Sequence, residues 1–314
     1  MKKFTSFLYF LLLSLLTVPE GFSSFDNKEN DKCPFSLCAV VTQDEFLERF
    51  ERMGRIGGGG EARVYSVKNR DTQEPYALVL YNDLKLLAQP DYRKDLIQRL
   101  IENQDINPHQ GKIHGYFWIL NPNYPYIGGA KEGVLPFQNV REGRLLDDTY
   151  ANDPDATPYR HEAILMEQGL GDLESQSFRN LNFDPVLERL ICRLSSYNLY
   201  EAFIIPSDNK ARNYIFVKTS GQTYLGEKMD SYDFLRYEIE SQVLYIPTPS
   251  HIIKRIDYGC WRLGELNFYT GKIPILERLS DCCSVTKEEF INRFCQPPQD
   301  PNARILSIRT WNKV

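Results

Sequence analysis

The strongest constraint on the fold is a change of hydrophobic period along the first third of the chain. From Gly54 to Tyr81 the apolar residues come in short runs, ARVYSV and YALVLY, separated by the polar, proline-ended NRDTQEP and preceded by four successive glycines, Gly57 to Gly60. Runs of that length between turn-forming residues predict a glycine-rich hairpin and a third strand. Residues 92–102 (YRKDLIQRLIE) then place Leu96, Ile97, Leu100 and Ile101 on one helical face, and KIHGYFWIL returns to strand character. The predicted order is three strands, a helix and a strand. Ahead of it, Phe46, Leu47, Phe50 and Met53 recur at helical spacing and predict a short amphipathic helix over Gln43 to Met53.

Further on, residues 121–160 are rich in Pro, Gly, Asp and Asn and predict a long loop or insertion. Ala163 to Met166 reads as a buried strand, and Val186 to Tyr200 is the best amphipathic helix in the chain. No repeat of fixed period is present. A chain of 314 residues with 25% charged residues and a mean hydropathy of -0.42 is neither a polytopic membrane protein nor a disordered one. Its net charge of -5 gives no overall attraction to nucleic acid, which is not expected as a partner.

Lys2 and Lys3 precede an apolar run from Phe7 to Val18, followed by Gly21, Ser23 and Ser24. This is the pattern of a secretory signal peptide over residues 1–24, and the run is too short for the roughly 20 residues of a spanning helix. A secreted or periplasmic protein without a stable membrane anchor is therefore expected. Seven cysteines (Cys33, Cys38, Cys192, Cys260, Cys282, Cys283, Cys295) suit that compartment, though their pairing is open. The four histidines have no metal-type spacing with them.

Three motifs carry candidate chemistry. In IGGGGEARVY, the pattern Gly57-x-Gly59-x-x-Ala62-x-Val64 lies where two strands meet, and absent side chains there let backbone N–H groups approach phosphate oxygens. In DNKARN, Asp208 offers a carboxylate to accept a hydroxyl proton, Lys210 a charge to neutralise a moving phosphoryl group and Asn213 an amide oxygen for magnesium. A solvated turn has the same composition. In IIKRIDYG, an apolar strand ends in Asp257, an aromatic and a glycine, and a carboxylate at a strand end can hold a metal ion.

These motifs in this order, with ILMEQGLGDL between the first and second, resemble the protein kinase-like fold over about residues 52–260. The resemblance implies an α+β, bilobal protein: a small antiparallel-sheet N-lobe with a long insertion (52–169), preceded by an N-terminal extension (25–51), and a reduced, mainly helical C-lobe (170–314) whose later helices include Lys287 to Phe294. It implies ATP and Mg2+, with phosphates under Gly57, Gly59, Ala62 and Val64 and adenine against a hinge at Glu167 to Gly169, after a Met166 gatekeeper. Asp208 is then the base, and Asn213 and Asp257 are the metal ligands.

There are departures. Val79 stands where the family has a lysine that grips the α and β phosphates. Lys68, Lys85 and Arg63 are nearby substitutes, with Glu102 or Asp95 as acidic partners. Pro206-Ser207-Asp208 replaces His-Arg-Asp, which removes the arginine that docks a phosphorylated activation loop. Asp257 lies 44 residues beyond Asn213 where the family has fewer than about twenty, whereas Asp230 lies 17 beyond. The better strand ending favours Asp257, with residues 218–250 as an insertion. The leading expectation is an atypical secreted kinase that acts on a protein hydroxyl. A pseudokinase scaffold that binds a partner protein and a small-molecule phosphotransferase are the alternatives. Because exported compartments hold little ATP, delivery into a host cell is the setting in which a kinase would find its substrate.

Overall fold

Strand β1 (Val40–Thr42) and helix α1 (Gln43–Arg49) lead into β2 (Phe50–Gly58), β3 (Ala62–Asn69) and β4 (Pro75–Tyr81), then helix α2 (Pro90–Asn103), β5 (Ile113–Leu120) and β6 (Arg160–Glu167). The computed structural model describes residues 35, 37, 39–58, 62–81, 90–120, 160–206, 209–239, 242–258, 261–264 and 275–308, all within the unit Cys33–Val314. The six strands form one sheet in the order β1-β5-β6-β4-β3-β2. Every pairing is antiparallel except β1 with β5. The predicted order of three strands, helix and strand is what the chain forms. Residues 121–159, the expected insertion, lie outside the described residues.

Alternation sends the sheet's side chains into two apolar layers. Tyr65, Val67, Leu78, Leu80 and Phe117 pack on one face with Phe46 and Phe50. Ala77, Tyr81, Tyr116, Ile164 and Met166 pack on the other with Leu96, Ile97 and Leu100 of α2. The strands are thus covered on both sides, which explains why they read as nearly continuous apolar runs.

Helix α1 is shorter than its sequence spacing predicts. Thr42 caps it reciprocally with Glu45: the Thr42 hydroxyl accepts from the Glu45 N–H at 3.1 Å, and the Glu45 carboxylate accepts from the Thr42 N–H at 2.6 Å. It stops at Arg49 because Phe50 is needed in the sheet's outer core, stacked 4.9 Å from Phe46. Met53, expected on the helix's apolar face, is instead 59% exposed on β2. Residues 40–50 therefore pack with the sheet layer.

The second half runs β7 (Gly171–Asp172), α3 (Gln176–Arg179), α4 (Pro185–Glu201), β8 (Ile204–Ile205), β9 (Tyr214–Lys218), β10 (Thr223–Tyr224), β11 (Glu227–Lys228), β12 (Phe234–Ile239), β13 (Gln242–Pro247), β14 (His251–Arg255), β15 (Arg262–Leu263), α5 (Ile275–Cys283), α6 (Lys287–Phe294) and β16 (Ile305–Ser307). Asp184 caps α4, accepting from the Val186 N–H at 2.9 Å, and Pro185 occupies the first turn, where its missing N–H costs nothing. The buried face of α4, Leu187 to Tyr197, packs with Phe216, Ile252 and Leu279 in one core.

Residues 219–250 join that same core. Strand β12 buries Leu235, Tyr237 and Ile239, pairs antiparallel with β13, and receives β16 in parallel on its other side. A mainly helical second half was the expectation. Among the described residues it carries nearly as much strand as helix, because the alternating FLRYEI and QVLYIP segments form a hairpin.

Gly169 shows how tightly the segment after β6 lies on β9. A Cβ there would stand 2.6 Å from the Ile215 Cβ, a branched carbon fixed to its own backbone. Gly169→Ala should destabilise the protein by about 1–3 kcal/mol in urea denaturation, with secondary structure unchanged.

Candidate functional site

Strand pairing decides which aspartate meets Asn213. β14 runs antiparallel to β9 with Arg255 opposite Tyr214, and the Ile256 N–H donates to the Asn213 carbonyl at 2.8 Å. Asp257 follows one residue later, so the 43 intervening residues loop out and return it beside Asn213 in backbone terms. Asp230 sits in a short 3-10 turn and is exposed. Asn213 ends another such turn over Ala211–Asn213, is 6% exposed, and donates its N–H to the Lys210 carbonyl at 2.9 Å. Lys210 and Asp257 are exposed. Asp208 lies outside the described residues, as do Gly59 and Lys85.

Asp257 has φ of 72°, in the left-handed region that a non-glycine residue adopts at a cost. Its neighbours hold it there. The Tyr258 hydroxyl is buried and donates to the Gly111 carbonyl at 2.7 Å, and the Gly111 N–H donates to the Arg255 carbonyl at 2.9 Å. Arg255 is 2% exposed: its guanidinium donates to the Ser196 hydroxyl at 2.7 Å and lies 5.3 Å from the Tyr214 ring centre and 5.4 Å from that of Trp261. The segment from Arg255 to Tyr258 is therefore gripped on both sides of Asp257.

The glycine-rich segment is a two-stranded edge. Gly57 pairs with Val64 and Gly58 with Arg63. Gly58 has φ of 137°, and a Cβ there would approach the Ala62 carbonyl oxygen to 2.8 Å, so the turn needs glycine on two grounds. Ala62, Val64 and Val79 pack on the α2 side of the sheet with Ile101.

No lysine takes the place of Val79 among the described candidates. Arg63 alternates with Ala62 and Val64 and falls on the opposite face. Lys68 is opposite Glu51 and Pro75, at the far end of β3 from the glycines. Glu102 and Asp95 are exposed, and Glu102 accepts from Gln98 at 2.9 Å along the helix. The helix meets the sheet through Leu96, Ile97 and Leu100 instead.

Glu167, expected at a hinge, does something the sequence did not announce. The Glu167 side chain points into a buried ion pair, accepting from the Lys254 ammonium at 2.8 Å, with 13% and 5% of the two side chains exposed. Gln222 completes it, accepting from Lys254 at 2.5 Å and donating to Glu167 at 3.0 Å. The Lys112 N–H adds a contact at 3.3 Å, and the Glu167 N–H is taken by the Lys112 carbonyl at 2.8 Å. Burial opposes ionisation of Glu167, but the Lys254 charge and these donors outweigh it and leave the carboxyl below its ordinary pKa. Burial likewise pulls the Lys254 ammonium down, against the pull of Glu167. Lys254 reads in the sequence as one charge in an apolar strand, and only the register of β14 reveals its partner.

Beside this pair, His109 is wholly buried. Its Nδ1 donates to the Ile253 carbonyl at 3.1 Å, so Nε2 accepts from the Tyr237 hydroxyl at 2.6 Å. Burial, reinforced by the nearby Lys254 charge, lowers its pKa from 6.5 to about 4. Cys192, Cys282, Cys283 and Cys295 are free thiols, and burial raises Cys192 to about 12, which makes it unreactive. Among the described residues no group of three or more His, Cys, Asp or Glu is placed to hold a metal ion, and no helix is long and apolar enough to cross a membrane.

No protein-family model and no curated protein matches the chain. Among solved structures it is similar to the crystal structure of a kinase domain, at 20% identity and a TM-score of 0.39, over 72% of this chain and 54% of that one. The chain thus spans about half the length of the structure it matches. The architecture is mixed α+β, with a sheet-rich N-terminal region and helices.

Two measurements check the electrostatics. Lys254→Met leaves Glu167 buried without its counter-charge and should cost about 3–5 kcal/mol, most of it recovered in the double variant with Glu167→Gln. The folded His109 protonates near pH 4 and the unfolded one near 6.5, so the unfolded chain binds more protons between those values. Stability should fall as pH drops through that window, by on the order of 3 kcal/mol in all, and His109→Gln should flatten the slope between about pH 6.5 and 5.

Proposed function

We propose that the chain is an ATP-dependent phosphotransferase of the kinase type that moves the γ-phosphoryl group to a hydroxyl of a protein substrate after export from the cell that makes it. The supporting observation is the β9–β14 register, which returns Asp257 to Asn213 across an insertion. An amide oxygen and a carboxylate at adjacent strand ends are hard oxygen donors suited to magnesium. Magnesium, once held by Asn213 and Asp257, would neutralise charge on the transferring phosphates. In this reading Asp208 accepts the hydroxyl proton, and Lys210, exposed beside Asn213, meets the developing negative charge. Glu167 to Gly169 contributes backbone to the base, since the Glu167 carboxylate is committed to Lys254. Export rests on the charged and apolar pattern of residues 1–24, and a host cell would supply the ATP.

The pseudokinase reading has its own observation. Val79 is partly buried against the apolar layer that Ile101 also joins, and Glu102 and Asp95 of α2 are exposed. Under this reading the chain binds a partner protein and transfers nothing.

Labelling of generic protein substrates with γ-labelled ATP separates the two. The phosphotransfer reading predicts Mg2+-dependent label that Asp257→Ala and Asn213→Ala each reduce at least about 100-fold. Nucleotide-induced thermal protection with no label supports the pseudokinase. Val79→Lys should lower stability by about 1–3 kcal/mol, because the added ammonium enters a largely apolar layer.

A further inference from the structure

The insertion between Asn213 and Asp257 reaches back to two segments of the first half through three sets of contacts. From the turn before β10, Gln222 bridges Lys254 and Glu167. From β12, Tyr237 donates to His109, whose carbonyl accepts from the Arg255 N–H at 2.8 Å. From the β10–β11 turn, the Leu225 N–H donates to the Asp105 carbonyl at 3.2 Å. Leu225 makes that contact in the left-handed region, with φ of 49°, and its side chain is 55% exposed. A leucine there is costly where asparagine or glycine would be at ease.

These contacts fall on the end of β6, on the loop after α2 and on the Lys254 side chain of β14. Those are the elements that would frame a bound nucleotide and carry Asp257. The Tyr237–His109 bond is buried and the Gln222 bonds are partly so, and there a missing partner costs more than on the surface.

We propose that residues 219–250 are a positioning brace for the phosphotransfer site, with Gln222 and Tyr237 as positioning residues. This rests on the phosphotransfer reading for its functional part only. Gln222 sets the hinge strand against the strand that bears Asp257, and Tyr237 sets the loop after α2 against the same strand. The brace holds the site in one arrangement without an activation-loop phosphate, for which Pro206 and Ser207 leave no docking arginine.

The test uses the full chain with Gln222→Met, which keeps the shape and removes both bonds, and Tyr237→Phe, which removes one. Lys228→Ala, on the exposed face of the same hairpin, is the control. Hydrogen exchange followed by mass spectrometry is expected to rise at residues 105–112 and 165–170 in both variants and not in the control. The KM for ATP is expected to rise about tenfold with kcat within about twofold. Exchange that rises only within 219–250 overturns the brace. Exchange that spreads while KM stays unchanged overturns the positioning role. If the wild-type chain transfers no phosphoryl group, the phosphotransfer reading fails and the exchange pattern alone decides the brace.

Discussion

A lysine ammonium and a glutamate carboxylate, held against each other out of water, tie the end of β6 to the middle of β14. Moving either charge alone into that interior would cost several kcal/mol, and their attraction offsets this only when the remaining donors and acceptors are also met. Gln222 and the Lys112 N–H meet them. The consequence is mechanical. The hinge strand and the strand that delivers Asp257 cannot shift independently without exposing an unpaired charge, so the geometry around Asp257 is inherited from this pair.

Most of the first half was legible in the sequence. Short, nearly continuous apolar strand runs and the apolar stripe of α2 are local signals, and a sheet covered on both faces gives them strength. The boundary of α1 was not legible, because Phe50 satisfies a helical spacing and a strand spacing equally. Only the aromatic stack with Phe46 decides between them. The alternation of FLRYEI and QVLYIP in the insertion was present but passed over, and with it the strand content of the second half.

Within the site, the residue types were readable and their company was not. Asp257 was preferred over Asp230 for its strand ending, and the β9–β14 register is what brings it to Asn213. Glu167 was read as a hinge residue from its place after Met166. Its partner Lys254 lies 87 residues away, and no local pattern encodes a contact of that separation. Val79 shows the reverse: a departure visible in the sequence is set beside an apolar α2 face, with Asp95 and Glu102 exposed.

The central claim is that Asn213 and Asp257 form a magnesium-dependent nucleotide site on a strand held by the Lys254–Glu167 pair. Titration calorimetry of ATP into the chain, with and without Mg2+, tests it directly when repeated on Asp257→Asn. The account predicts binding that needs the metal and is weakened at least about tenfold by the substitution. Binding indifferent to both Mg2+ and Asp257, or no binding to the wild-type chain, would contradict it.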